Sequence, residues 1–340
     1  MATTRLGPAC FQVDGVFISG TAAVVGPKEG QGPLGQEFDR VWSDEMGQTD
    51  TFEKAEQALL AQAYEEVLRK SGCAWDDIDL VLGGDLLDQT ISTNFAGRQH
   101  GRPLAGLFSA CATFTEALGL GALLVGEGAT KRVLVSASSH HATAERQFRF
   151  PLELGYQRPP TAAWTATAAG AAVLASDSGP IEVKAVTLGR VMDMGGKDPN
   201  DMGSAMAPAA FDTIQRHLRE THMRVEDFDL IATGDLGHFG MDVLQSYARD
   251  HGLTFGLELD DCGRSLYDAA SQDTHNGGSG PGCSASVFAG PIARRLAKHG
   301  FRRVLLVATG ALYSPTTYQQ GESIPCIAHA VQLEAASREA

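Results

Sequence analysis

DDIDLVLGGD, residues 76–85, recurs as EDFDLIATGD at residues 226–235. In each copy an acidic turn runs into a short apolar stretch that ends on small residues and an aspartate, Asp85 or Asp235. A second pair follows: KRVLVSAS at 131–138 and RRVLLVAT at 302–309. Between the two motifs of each half stands a cysteine, Cys111 or Cys283, that opens a run of small and apolar residues. The same landmarks in the same order, twice, predict a duplicated fold. The polar turn SDSGPI at 176–181 marks the boundary, so the halves are expected over 1–177 and 178–340.

Working outward, Leu80–Gly83, Val133–Ser136, Leu230–Thr233 and Val304–Ala308 are short and continuously apolar. That is the pattern of buried parallel strands. Phe52, Ala55, Leu59, Ala63 and Val67 fall at helical spacing and predict a helix over 50–71. Asp50 is its expected cap, with Glu53 three residues on and Gly72 closing it. Its partner is expected over 207–220, with Pro208 in the first turn. Two such α/β halves, side by side, predict five layers, helix–sheet–helix–sheet–helix, with Cys111 and Cys283 starting the two central helices. The second half is longer, with 48 residues from Asp235 to Cys283 against 26 from Asp85 to Cys111. The surplus, around 257–276, is expected to be a loop or lid.

Composition narrows the function classes. A chain of 340 residues amounts to roughly two units of about 150. Apolar residues make up 43% and charged residues 20%, enough for a sizeable core. The net charge of −14 argues against nucleic acid or a polybasic membrane surface as the main partner. No apolar run reaches spanning length, and no basic start followed by an apolar run opens the chain. The six cysteines are scattered with no CxxC pair, so a disulfide framework and a structural zinc site are not expected.

Three stretches are candidates for chemistry. Cys111 begins a helix, where the dipole favours thiolate, the nucleophile of acyl transfer; a buried small hydrophobe is the plainer alternative. The loop NGGSGPGC, 276–283, holds Ser279 and is dense enough in glycine for backbone N–H groups to approach an anion, or is simply a tight turn. SSHHATAERQFRF, 138–150, places His140, His141, Arg146 and Arg149 after a buried strand. Ligands gather at such strand ends, and arginine forks suit carboxylates. A solvated loop with Glu145 paired to an arginine is the alternative. Two motifs are set aside. GQGPLG at 30–35 fits GxGxxG but contains Pro33 and opens no helix. Asp260, Asp261, Cys262 and His275 match no standard metal spacing.

Taken together, the duplicated halves and the cysteine opening a central helix resemble the thiolase and ketoacyl-synthase superfamily. More narrowly, VGPKEGQGPLG (25–35), GGDLLDQ (83–89), SSHHATAERQFRFP (138–151), DMGSAMAPAA (201–210) and ESIPCIAHAV (322–331) resemble the stage V sporulation protein AD family of endospore-forming bacteria. The resemblance implies a thiolase-like αβαβα fold and a homodimer. It implies binding of dipicolinate, pyridine-2,6-dicarboxylate, during its transport into the developing spore. It also implies peripheral work beside membrane proteins at the spore inner membrane. No cofactor and no metal are expected, Ca²⁺ entering, if at all, with the ligand.

Cys111 matches the superfamily's nucleophile position. The catalytic partners depart from the pattern. Where a ketoacyl synthase has histidine, this chain has Gly234 and Asp235, with His238 just beyond. The stretch 278–282 lacks the expected asparagine, and no Gly-His-Pro occurs. Without a base and oxyanion donors, binding is the expected role and catalysis is not. The expected ligand contacts are Arg146 and Arg149 for charge, His140 as a donor, and N–H groups at Cys111, Ser279 and Cys283. His329 and Cys326 are expected in the same cleft. The alternative is an acyltransferase or condensing enzyme using Cys111 with His140 or His238.

Overall fold

The computed structural model describes residues 3–148, 155 and 157–337. Ten strands carry the architecture. They are β1 (Phe17–Val25), β2 (Leu80–Gly84), β3 (Leu104–Gly106), β4 (Arg132–Ser139), β5 (Ala168–Ala175), β6 (Ile181–Thr187), β7 (Leu230–Thr233), β8 (Leu259–Asp261), β9 (Arg303–Ala311) and β10 (Cys326–Ala335). Their order across the sheet is β3-β2-β4-β5-β1 and, after it, β6-β10-β9-β7-β8. Relabelled within each set of five, the two orders are mirror copies: first strand inside, third strand at the outer edge.

The repeated motifs supply the parallel pairs, β2 with β4 and β7 with β9. β5 and β10 run antiparallel to β4 and β9. The expected two separate sheets are in fact one system, because β6 pairs with β1 at Ile181–Ile18 and Glu182–Phe17. The contact is short because the strands diverge at once; the two sheets face each other across a helix layer.

Six helices complete the layers: α1 (Phe52–Ser71), α2 (Thr113–Gly126), α3 (His141–Phe148), α4 (Met202–Thr221), α5 (Gly237–Asp250) and α6 (Pro281–Val287). α1 covers one outer face, burying Leu59, Leu60, Ala63, Tyr64 and Val67 against β1 and β5. α4 and α5 cover the other, with Phe211, Ile214, Met241 and Leu244 buried. α2 and α6 lie between the sheets, where Phe114 meets Phe288 at 5.7 Å between ring centroids. α2 is apolar nearly all round, as a helix with sheet on both sides must be.

Several local expectations shift. Thr51, not Asp50, caps α1, its hydroxyl accepting from Lys54 N at 3.2 Å. Asp50 instead pairs with the Lys54 ammonium one turn on. Gly72 closes the helix at φ 69°. α4 starts at Met202, capped by Asp201, so Pro208 lies in its interior rather than its first turn. The surplus at 257–276 is no lid. It contains β8 and a short helix, Cys262–Leu266, and Tyr267 is buried with its hydroxyl donating to Glu29. Asp261 anchors this segment by accepting from Leu236 N, Gly237 N and Arg264 N.

The middle layer tolerates no extra volume at Gly170 on β5, where a Cβ would overlap the backbone of Ala285 on α6. Gly170→Ala is therefore expected to lower unfolding free energy by roughly 1–3 kcal/mol in urea denaturation. An unchanged midpoint would mean that α6 shifts freely, against this packing.

Candidate functional site

The helix α2 is preceded by one tight turn, Ala110–Ala112, and Ala110 there has φ 49°. A non-glycine residue in this region is strained and persists only when its surroundings hold it. They do: Thr113 Oγ1 donates to Ala110 O at 2.7 Å and accepts from Ser109 N at 3.1 Å. Gly310 on β9 lets the Ser109 carbonyl pack directly on the strand. The turn aims Cys111 into a narrow cleft. Phe108, Phe148, Met202 and Tyr313 form apolar walls, and Thr165 and Ser279 bring hydroxyls. No lysine or arginine lines it among the described residues.

Beneath Cys111 lies Asp235, the last residue of the second repeat copy, close enough for its charge to act on the thiol. Asp235 accepts from Thr309 Oγ1 at 2.9 Å and Gly280 N at 3.2 Å. Burial pushes its carboxyl up from 3.8 to about 7, against the opposing pull of those donors. The Cys111 thiol is pushed well above its ordinary value, first by burial and then by the Asp235 charge. This reverses the expectation of a helix-start thiolate: burial first, and the Asp235 charge second, hold the thiol protonated at the helix start. Asp85, the twin of Asp235, faces elsewhere and holds Leu87 N, Thr93 N and the Thr93 hydroxyl.

The other expected residues are distributed as follows. Ser279 joins Cys111 in the cleft. Cys283 is fully buried behind it, its Sγ 3.7 Å from Gly234 O. His140 is buried on Phe52; its Nε2 meets Glu45 O at 2.9 Å and its Nδ1 accepts from Ala142 N at 3.2 Å. Those bonds fix a neutral tautomer, and burial lowers its pKa. Arg146 points off the opposite side of α3 and pairs with Glu53. Arg149 lies outside the described residues. His329 accepts from Gly189 N at 3.1 Å and reaches Ser109 Oγ at 3.4 Å. Burial lowers its pKa to about 4, so it is a neutral positioning ring behind the Cys111 turn. Cys326 is buried, its Sγ 3.5 Å from Ile324 O.

Asp235 is legible in the sequence as the repeat's terminal residue, but its place beneath Cys111 is not. Asn276 lies just before the 278–282 stretch; its side chain holds Phe239 N at 2.8 Å and Leu236 O at 3.1 Å, which makes it structural.

Comparison with known proteins follows the geometry. Residues 10–334 match the family model described as stage V sporulation protein AD. A curated relative, stage V sporulation protein AD of Bacillus subtilis (strain 168), is 43% identical over 321 residues, covering 94% of this chain and 95% of the relative. Among solved structures, 3-oxoacyl-[acyl-carrier-protein] synthase III from Aquifex aeolicus VF5 superposes with a TM-score of 0.59 at 12% identity, covering 94% of this chain and 99% of that one. A tetronic acid condensing enzyme, AbyA1, gives 0.60 at 18%, covering 94% and 99%. These two likenesses establish the thiolase-like fold.

Two predictions follow from the Cys111–Asp235 contact. Asp235→Asn removes the charge that adds to burial in holding the thiol protonated, so alkylation of Cys111 by iodoacetamide at a fixed pH above 7, where Asp235 is ionised, should accelerate several-fold, read by mass spectrometry; an unchanged rate would sink the contact's role. A carboxyl at about 7 when folded and near 3.8 when unfolded keeps a proton that the unfolded chain loses. Its contribution to stability therefore falls as pH rises from about 4 to about 7, and Asp235→Asn should flatten that slope in denaturation curves.

Proposed function

Because this chain belongs to the stage V sporulation protein AD family, a sporulation family with a thiolase-like fold, we propose that it binds dipicolinate in the Cys111 cleft and supports its passage into the developing spore without making or breaking bonds. The observation that carries the non-catalytic part is the state of Cys111. An acyl-transfer nucleophile needs a lowered thiol pKa or a base held ready. Here the thiol is raised, and His140 and His329 are neutral rings with their bonds already made.

The cleft suits a flat aromatic acid in shape. Its walls are apolar, and the Thr165 and Ser279 hydroxyls and Cys111 supply a few polar contacts at one end. No helix among the described residues is long and apolar enough to cross a membrane. The reading therefore places the protein beside membrane-embedded partners of the same transport system, as a peripheral subunit and a homodimer.

One observation favours a second reading, acyl transfer. Asp235 lies beneath the thiol with its carboxyl pushed up to about 7, within the range of a general base. In that case the Cys111 sulfur attacks a thioester carbonyl, its proton passes to the Asp235 carboxylate, and the departing thiolate is protonated from solvent.

Calorimetric titration with dipicolinate, beside the 2,3- and 3,5-dicarboxylate isomers, tests the main reading. Saturable binding selective for the 2,6 isomer, weakened at least about tenfold in Ser279→Phe, is expected. No binding together with a stable acyl adduct on Cys111 after exposure to acetyl-CoA would replace it with the second reading.

A further inference from the structure

The two repeat copies differ in a way that leaves space. With DDIDLVLGGD set against EDFDLIATGD, the twin of Leu82 on β2 is Ala232 on β7. Both belong to the apolar layer between the sheets, and Leu82 fills its place there. Ala232 has three carbons fewer, and a slot opens at it, beside the short edge strand β8. Leu34, from the GQGPLG turn, and Phe301, from the turn before β9, line the slot. So do Val287, Pro291 and Ile292, where α6 runs on into a π-turn, Phe288–Ile292. Such turns are rare and recur at functional sites. The slot shares no lining residue with the Cys111 cleft.

We propose that this slot binds a small apolar monocarboxylate, its apolar body occupying the space that a leucine side chain would take at Ala232 and its carboxylate meeting Arg295. Arg295 lines the slot, with its guanidinium carbon 5.5 Å from the centre of the Phe301 ring. It is exposed and makes no ion pair among the described residues. Its neighbour Arg294 is engaged by Glu37 at 3.1 Å.

The acids at the slot leave that charge unmatched. Asp260 Oδ1 accepts from the Arg264 guanidinium at 2.8 and 3.2 Å, and its Oδ2 accepts from the Ser265 hydroxyl at 3.0 Å. Asp261 is turned to the Thr233 hydroxyl and to the backbone of Leu236, Gly237 and Arg264. Cys262 is buried, and burial holds its thiol neutral. One guanidinium at an apolar slot selects an apolar body carrying a single negative charge. A neutral ligand leaves the guanidinium unused, and a cation is repelled by it.

The test follows the heat of binding while the full chain is titrated with isovalerate and, separately, with benzoate, at constant ionic strength. Isovaleramide is the uncharged control. Saturable binding of at least one acid is expected, with the amide weaker. Ala232→Leu puts the twin's side chain into the slot, so it should abolish binding while the thermal midpoint holds or rises. If overpacking lowers the midpoint, Ala232→Val fills less of the slot and should still weaken binding. The Arg295 guanidinium is in contact with water, so Arg295→Gln should weaken binding of the acid by about two- to fivefold and remove the preference over the amide. Ser279→Phe, in the Cys111 cleft, should leave the affinity intact. No saturable binding of either acid overturns the site. So does an affinity that Ala232→Leu does not change, one that Ser279→Phe abolishes, or equal affinity for acid and amide.

Discussion

The middle helix layer is the constraint from which the rest of the structure follows. α2 and α6 are enclosed by sheet on two sides, so they must be apolar all round and thin at their contacts. Glycine and alanine meet that need where β5 packs on α6, and Phe114 and Phe288 fill the space between the helices. Removing two helices and two inner sheet faces from water is the largest single apolar burial in the chain. It also fixes where each helix begins, and therefore where Cys111 points.

The site inherits its electrostatics from the same burial. In a dry layer a carboxylate is costly, so Asp235 is pushed toward its neutral form and Cys111 stays a thiol. His329 and His140 are neutral for the same reason. The fold thus places Cys111 at the head of a central helix and surrounds it with groups whose environment suppresses charge. Lys28 and Arg158, both half-buried, stand over Trp164, the sequence neighbour of the cleft's Thr165.

Duplication explains both the symmetry and its failure. The two strand sets share one order, and each repeat ends in an aspartate at a strand's carboxyl end. The surroundings differ. Asp85 is consumed by the backbone of the turn after β2 and the start of the helix beyond it. In the second half Gly237 N, the counterpart of Leu87 N, is taken together with Leu236 N by Asp261. That frees Asp235 to face Cys111. A single added carboxylate in the longer second half therefore separates a structural aspartate from one in the site.

The sequence by itself determined the periodic features: strand and helix types, their order, the duplication, the layered α/β class and the position of Cys111. Each rests on local spacing, which is visible along the chain. Tertiary structure alone decided which donors reach which acceptors. Thr51 displaced Asp50 as a cap by one residue's backbone geometry, and Pro208 fell inside a helix because Asp201 starts it earlier. Arg146 and Ala144 share a helix but face different ways, so only Ala144 reaches the cleft. Lys28, Arg158 and Trp164 are far apart or unremarkable in sequence and meet only because separate loops cross one sheet end. Periodicity is a property of neighbours along the chain, whereas burial, pKa and convergence depend on groups that only folding brings together.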